Sequence, residues 1–396
     1  MKQVAVVGAG MGPDTVTRQG LRAVEGAQAL LGAPRLLELF SYLNIPAYPD
    51  YAPGEVAQRI GESGGERFAV LVSGDTGFYS AAGKLAAALE GCEITVVPGI
   101  SSLSYFFARL QRPWQDAKLL SCHGRDANLV DAVRRNRLTF ALTGGNIAAL
   151  VYRLTDAGFG ELTAHVGENL GLDTERILTR TIAELQNEPF APLCVLAVEN
   201  PGFDARVRFG IPDEEFRRAD APMTKREIRA VALSLLQLAP GAVCCDIGAG
   251  TGSVTVEMAL AAYEGRVYAI ERDADAAKLI GENCRAFHIG NAEVLRGSAP
   301  GMLAGLPRLG AAFIGGSGGG MREIAAALLR NNPKMRIVIN AVSLENAVSA
   351  LEALSSHGLA PEIVQVSAAR SKAAGGLHML LAQNPVFLVS GGGQNA

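Results

Sequence analysis

Six cysteines, at positions 92, 122, 194, 244, 245 and 284, include no C-x-x-C pair, the spacing on which common zinc sites and dithiol couples are built. No metal site is expected. An excess of one charge is also missing. The 396 residues carry 36 Lys and Arg against 39 Asp and Glu, a formal net charge of −3, which argues against a nucleic-acid binder with a basic face. The densest basic stretch, Arg134, Arg135 and Arg137, suits a solvated helix end. No apolar run approaches the ~20 residues of a membrane span. The first residues read as a strand, not as a charged segment followed by an apolar one. Low-complexity tracts and short-period repeats are absent, and only SGGGQNA at the end reads as a frayed tail. These absences point to a reducing, cytoplasmic location and to a globular chain that needs neither membrane nor nucleic acid.

Hydrophobic residues make up 49% of the chain and glycine accounts for 46 positions, a balance that fits many tight βα turns. The length is that of two or three domains. Strand-like apolar runs alternate with helix-period segments, the α/β signature. In the first half, strands are expected at 3–7, 68–72, 93–97, 118–121, 138–142, 162–166 and 193–198, with helices at 77–89, 100–110 and 146–154. Between about 199 and 222 the pattern lapses into Pro, Gly and charge. Domains at 1–202 and 223–396, joined by a linker at 203–222, are therefore expected. The second half reads as helix 224–237, strand 242–246, helix 253–262, strand 266–271, helix 273–286, strand 310–314, helix 320–330, strand 335–341, helix 344–356 and strands 361–368 and 377–389. The last two follow each other without a helix, so an antiparallel edge pair is expected on a Rossmann-like sheet. Cys244 and Cys245 sit in an apolar strand, where free Cys behaves as a small hydrophobe.

Residues 244–252, CCDIGAGTG, are a strand running into a glycine turn before a helix. Such turns let a ligand approach the backbone. A dinucleotide is the first suspicion, but Ser253 stands where its fingerprint wants a third glycine after Gly248, Gly250 and Gly252. Asp246, two residues ahead of Gly248, is poor company for a pyrophosphate. It suits the ammonium and sulfonium of S-adenosylmethionine. Glu271, at the end of the next strand, can accept ribose hydroxyls of either cofactor. The stretch RGSAP, with Ser298 and Ala299, falls where such folds turn beside adenine, although an ordinary polar loop explains it equally well.

The opening QVAVVGAGMG also ends a strand in glycines, Gly8, Gly10 and Gly12, but Pro13 follows and no acid precedes them. It is a different device. Two further strands end in comparable turns: LVSGDTGFYS, with Gly74, Asp75 and Thr76, and VVPGISS, with Ser101 and Ser102 placed to cap a helix. Three such turns suggest one cleft lined by loops.

GxGxG after the first strand, SGDTGFYS and PGISS resemble the tetrapyrrole (corrin/porphyrin) methylase family. SCHGR, 121–125, and GENLG with ERI, 167–177, resemble its branch acting at the C-5 meso carbon in cobalamin synthesis. The second half, through FGIPDEEF, PMTKREIRAVALSLL, DIGAGTGSVTVEMA, AIERD, AFIGGSGGG and NAVSLEN, resembles the decarboxylating precorrin-6Y methyltransferase family. The two resemblances cover nearly the whole chain. The matches are loose at Met11, at Pro13-Asp14, at Thr76 and around TGGN, 143–146. They imply methylation of a precorrin at C-5 by the first half and at C-15 by the second, with loss of the C-12 acetate carboxyl. One S-adenosylmethionine per domain, a tetrapyrrole substrate and a homo-oligomer are implied as well. Contacts to the cofactor are implied at Thr143 in the first domain and at Thr224 in the second.

Methyl transfer from a sulfonium to an electron-rich carbon needs orientation and a dry site more than a covalent nucleophile. Decarboxylation needs an electron sink, which the tetrapyrrole itself can be, and a proton donor. His378, Glu345 and Glu257 are the candidates. Each has an ordinary explanation too: a packing histidine, a helix N-terminal acid and a buried acid bonded to backbone. Arg125, Arg226 and Arg229 are candidates to clamp substrate carboxylates, with His123 beside Arg125. Two other readings stay open at this point, a single-site methyltransferase with a non-catalytic tetrapyrrole-binding half and a NAD-dependent dehydrogenase.

Overall fold

The structure, a computed structural model, describes residues 1–124, 127–206 and 208–393. They form two compact units, one of Met1–Ala127, Asn136–Tyr152 and Glu161–Gly202, the other of Asn128–Arg135, Arg153–Gly160 and Phe203–Ala396. Among the described residues no helix is long and apolar enough to cross a membrane.

The first unit holds two sheets. One is wholly parallel, built from β1 (Gln3–Gly8), β2 (Ala29–Gly32), β3 (Ala47–Tyr48), β4 (Arg67–Val72) and β5 (Glu93–Val97) in the order β3-β2-β4-β1-β5. The apolar runs of β1 and β4 explain their central place: Val6, Val7, Ala69 and Val70 are all buried, as parallel strands covered on both faces must be. The other sheet has β6 (Lys118–Ser121), β7 (Leu138–Leu142), β8 (Thr163–Glu168), β9 (Arg176–Thr181) and β10 (Cys194–Glu199) in the order β6-β7-β10-β8-β9. Only β6 and β7 pair parallel there. Phe106, Phe107 and Phe140 pack together beneath it, with ring centroids 5.9–6.2 Å apart.

The second unit is a seven-stranded sheet. Its strands are β11 (Val243–Ile247), β12 (Arg266–Glu271), β13 (Ala292–Arg296), β14 (Ala311–Ile314), β15 (Arg336–Ala341), β16 (Glu362–Val366) and β19 (Val386–Gly391), in the order β13-β12-β11-β14-β15-β19-β16. β19 runs antiparallel to both neighbours. β17 (Ala369–Ala374) and β18 (Leu377–Ala382) form a separate two-stranded hairpin. Alternate residues feed two cores, Cys244, Val267, Phe313 and Val338 on one face and Cys245, Ile270, Ile314 and Ile339 on the other. The adjacent cysteines thus serve opposite faces as small apolar side chains, and burial pushes the Cys244 thiol up to about 12.

Most expected elements are present within a few residues, and the departures have physical causes. β2, β3, β9, β13 and β17 were not expected: β2 is four residues inside a helix-like stretch, β9 is a charged, half-exposed edge, and β17 is mostly exposed. The helix expected from 77 starts at Ala82, because Tyr79 turns the chain at a positive φ of 48°. The single strand expected at 377–389 is two strands, β18 and β19, broken at Gln383-Asn384-Pro385. The antiparallel edge pair is β16 with β19. The segment expected as a linker is anchored structure: Ile211 and Phe216 are buried in the core of the second unit.

Candidate functional site

In the first unit the three glycine-bearing turns meet at the C-terminal ends of β1, β4 and β5. Gly74 N–H donates to the Gly10 carbonyl at 2.9 Å and Gly10 N–H to the Gly74 carbonyl at 3.2 Å. A β-carbon on Gly8 would lie 2.6 Å from Gly99 N and 2.7 Å from the Gly74 oxygen, so only glycine lets these backbones touch. Asp75 accepts from Gly77 N–H at 2.8 Å and from Gly99 N–H at 3.2 Å, which holds two of the turns in register. Thr15 Oγ1 accepts from Met11 N–H at 2.6 Å and Gly12 N–H at 2.8 Å. The GENLG stretch closes over this loop, with Gly171 O only 2.0 Å from where a β-carbon of Gly12 would stand.

The remaining first-unit candidates divide. Ser101 caps the helix Ser102–Arg109, accepting from Ser104 N–H at 3.1 Å; Ser102 begins that helix, and Thr76 is partly exposed beside Asp75. Thr143 is buried, its hydroxyl donating to the Cys194 carbonyl at 2.7 Å. His123 is exposed and its turn touches the TGGN turn, since a β-carbon on Gly144 would lie 2.8 Å from His123 Cα. Arg125 lies outside the described residues.

In the second unit the chain goes from β11 to β12 and β13 on one side, then to β14 and β15 on the other. Strand order reverses beside β11, and in open α/β sheets ligands sit in the crevice outside such a point. A cavity of about 910 Å³ opens there, lined by Asp246, Gly248, Ala249, Gly315, Asn340 and Thr224 among others. Gly248, Gly250 and Gly252 all have positive φ. Their missing β-carbons make room for Gly316 O (2.6 Å), Pro222 O (2.5 Å) and Ile280 (2.9 Å) respectively.

Asp246, at the tip of β11, is 1% exposed. Thr255 Oγ1 donates to its Oδ2 at 2.5 Å, while Oδ1 has no hydrogen-bond donor among the described residues. Burial pushes this carboxyl up to about 7; the Thr255 hydrogen bonds pull it back and the Glu271 charge adds to the rise. Glu271 ties the turns together, accepting from Gly250 N–H at 2.9 Å through Oε2, and from Arg272 and Asp273 N–H at 2.8 and 3.0 Å through Oε1. Carboxylate oxygens keep lone pairs beyond those bonds.

Several expected site residues stand elsewhere. Arg229, expected as a substrate clamp, is wholly buried. It donates to Glu257 at 2.8 Å, Asp213 at 2.9 Å and the Thr224 carbonyl at 2.5 Å, and also to the Ile211 carbonyl. Its donors are spent on holding the segment before helix Arg226–Leu236. Glu257, expected as a catalytic acid, is its equally buried partner and also accepts from Gly210 and Ile211 N–H, each at 2.9 Å. Arg226 is exposed and pairs with neighbouring Glu227 at 3.5 Å. Glu345 is exposed in the first turn of helix Leu344–Ser355, held below the usual carboxylate range by hydrogen bonds with its own backbone and Ser343. His378 is exposed on the hairpin strand β18, opposite Ala373. None of these lines the cavity. Ser298 precedes the short helix Ala299–Leu303, exposed, with Ala299 buried behind it.

Asn340 and Arg370 are among the wall residues that were not expected. Asn340, the penultimate residue of β15, has Oδ1 buried and without a donor among the described residues. The signal was visible, a lone polar residue closing the apolar run RIVIN. Arg370, at the root of the hairpin, pairs with Glu227 at 2.7 and 2.8 Å and with Asp213 at 3.2 Å. These partners lie 143 and 157 residues away in sequence, so nothing local announced them.

Two family models match the chain: residues 3–186 fit the tetrapyrrole (corrin/porphyrin) methylases and residues 215–390 fit the precorrin methyltransferase domain. Over 387 residues, 93% of this chain and 91% of the relative, the sequence is 33% identical to a precorrin-6Y C(5,15)-methyltransferase [decarboxylating] of Sinorhizobium. It is 44% identical over 184 residues, 46% of this chain, to 94% of a probable cobalt-precorrin-6B C(15)-methyltransferase (decarboxylating) of Pyrobaculum calidifontis. A crystal structure of precorrin-6y C5,15-methyltransferase from Geobacter metallireducens is similar over 47% of this chain and 98% of its own, at 37% identity and a TM-score of 0.45.

Proposed function

Because the chain belongs to the precorrin-6Y C5,15-methyltransferase (decarboxylating) family, we propose that its two halves divide one double methylation. Residues 1–202 methylate C-5 of the tetrapyrrole. Residues 223–396 methylate C-15 and release the C-12 acetate carboxyl as CO2. Each half holds its own S-adenosylmethionine. Homo-oligomers working in the cytoplasm complete the reading, and sedimentation of the purified chain tests the first of these.

The observation that carries it is Asp246 Oδ1, a buried carboxylate oxygen with no donor among the described residues, on a residue lining the 910 Å³ cavity. A buried polar atom is normally paired, so this one suits a cationic ligand group. The neighbouring glycine turn presents backbone rather than side chains, because a β-carbon on Gly248 would collide with Gly316. An ammonium-bearing cofactor fits both features. Asp246 would accept its ammonium, Gly248 and Ala249 would admit it to the turn, and Thr224 would complete the wall. The free lone pairs of Glu271 would take ribose hydroxyls, with Ser298 and Ala299 beside adenine. When bound, S-adenosylmethionine supplies an electrophilic methyl on a sulfonium.

The chain's own work is then to orient and to dry. Orientation can contribute ~7–11 kcal/mol of a barrier, which is the order needed where no covalent nucleophile acts. Decarboxylation draws on the conjugated imines of the substrate as electron sink. His378 and Glu345, exposed and away from the cavity wall, are not offered as proton donors. In the first half, the contact of Gly8, Gly74 and Gly99 supports a second cradle, with Asp75 bracing it and His123 left free to meet the substrate.

The test is mass spectrometry of products formed from S-adenosylmethionine and metal-free precorrin-6Y, with a cobalt-bearing substrate in parallel. Two methyls gained and one CO2 lost is the expected outcome. One methyl gained would mean that one half only binds. Calorimetric binding of NAD with none of S-adenosylmethionine would overturn the reading.

A further inference from the structure

Two polar atoms of residues lining the second unit's cavity are buried and, among the described residues, without donors: Asp246 Oδ1 and Asn340 Oδ1. A cofactor ammonium would engage only the first. Both are acceptors, so both ask a ligand for N–H or O–H. They differ in charge and in place. Asp246 is the penultimate residue of β11, and Asn340 the penultimate residue of β15, two strands away across β14. At ~4.8 Å per strand their tips stand about 10 Å apart. A cofactor running from Asp246 toward Glu271 on β12 lies on the other side of β11. The tips of β14 and β15 are left for a second ligand.

The chain around Asn340 suits a flat apolar body. Val342 lines the cavity and is 69% exposed. Leu344 and Val348, 66% and 52% exposed, lie four residues apart in helix Leu344–Ser355 and so share a face. Exposed apolar side chains next to an unpaired buried acceptor match a macrocycle whose faces are apolar and whose centre carries N–H groups. A neutral amide also accepts from a pyrrole N–H without repelling the substrate's peripheral carboxylates, which a second buried carboxylate would do.

We propose that Asn340 is the substrate-reading residue of the second site, its Oδ1 accepting a pyrrolic N–H of the tetrapyrrole while Val342 and Leu344 receive the macrocycle's face. The assignment rests on the reading of residues 223–396 as the C-15 methyltransferase. Asn340→Leu keeps the volume and removes the acceptor. In the full chain, KM for the tetrapyrrole in C-15 methylation rises about tenfold, the worth of one lost buried hydrogen bond. The calorimetric Kd for S-adenosylmethionine stays within twofold. Val342→Asp, at an exposed position that folding tolerates, gives the same split and stands in should Asn340→Leu not fold. A rise in the cofactor Kd with an unchanged substrate KM would overturn the assignment and move Asn340 to the cofactor. Unchanged values of both would overturn it as well. If the unsubstituted chain bound no S-adenosylmethionine, the underlying reading would fail, a result separable from either of these.

Discussion

Asp246 is a carboxyl that water would ionise near 3.8 and that burial holds at about 7. In the ligand-free protein near neutral pH it is therefore partly protonated, and a bound cation favours the ionised form. Binding of S-adenosylmethionine should release up to one proton below pH 7. Affinity should fall as pH drops, approaching tenfold per unit well below 7, and level off above it. Calorimetry in two buffers of different ionisation heat reads the proton directly, and Asp246→Asn should abolish the dependence. The sign for stability follows from the same shift. The folded pKa lies above the unfolded one, so the native state holds more protons in between. This group's contribution is thus lost as pH rises from about 4 to 7. Asp246 was legible in the sequence because the glycines that define its role are its immediate neighbours. Arg229 was not. A guanidinium among charged residues reads as surface, whereas the acids that bury it, Asp213 and Glu257, lie 16 and 28 residues away.

At the scale of elements, that ion-pair centre fixes the segment from Gly210 to Thr224 to the helices Arg226–Leu236 and Ser253–Ala261 and so builds one wall of the cavity. Removing one partner of a buried pair leaves the others uncompensated, at a cost of about 3–5 kcal/mol. Arg229→Leu should shift the urea unfolding transition of the second unit by that amount, followed by far-ultraviolet circular dichroism. The chain's one tryptophan, Trp114, belongs to the first unit, so its fluorescence transition should move far less. Elements with a strong period and a buried face were readable to within a residue or two. β9 and β17 were not, because exposed strands carry no apolar alternation to betray them, and β18 was read only as the start of one longer strand. The strap was mistaken for a linker since its anchors are single residues, Ile211 and Phe216, rather than a stripe.

Across the whole molecule, the two glycine turns are separate inventions. One is braced by Asp75 through backbone contacts among Gly8, Gly74 and Gly99; the other carries a buried acid at the strand tip. Calorimetry should find two S-adenosylmethionine per chain. Asp246→Ala should leave one, together with C-5 methylation, while C-15 methylation and CO2 release disappear. A variant that lost both methylations would make the halves a single site. The pairing of two half-length motif sets was readable because each is dense in glycine and acid positions. The order of strands in the sheet was only partly so, since register is set by contacts distant in sequence. That order bears on how the chain is made. β19, residues Val386–Gly391, lies between β15 and β16 and hydrogen-bonds to both. During synthesis the first unit has all its strands once residue 199 has emerged, but in the second sheet β15 lacks its outer neighbour and β16 lacks its partner until residue 391 does. Its cavity wall at Asn340 is therefore among the last features to become rigid, and a chain stalled short of β19 would expose the unpaired outer edge of β15 and a partnerless β16 to chaperones or to other chains.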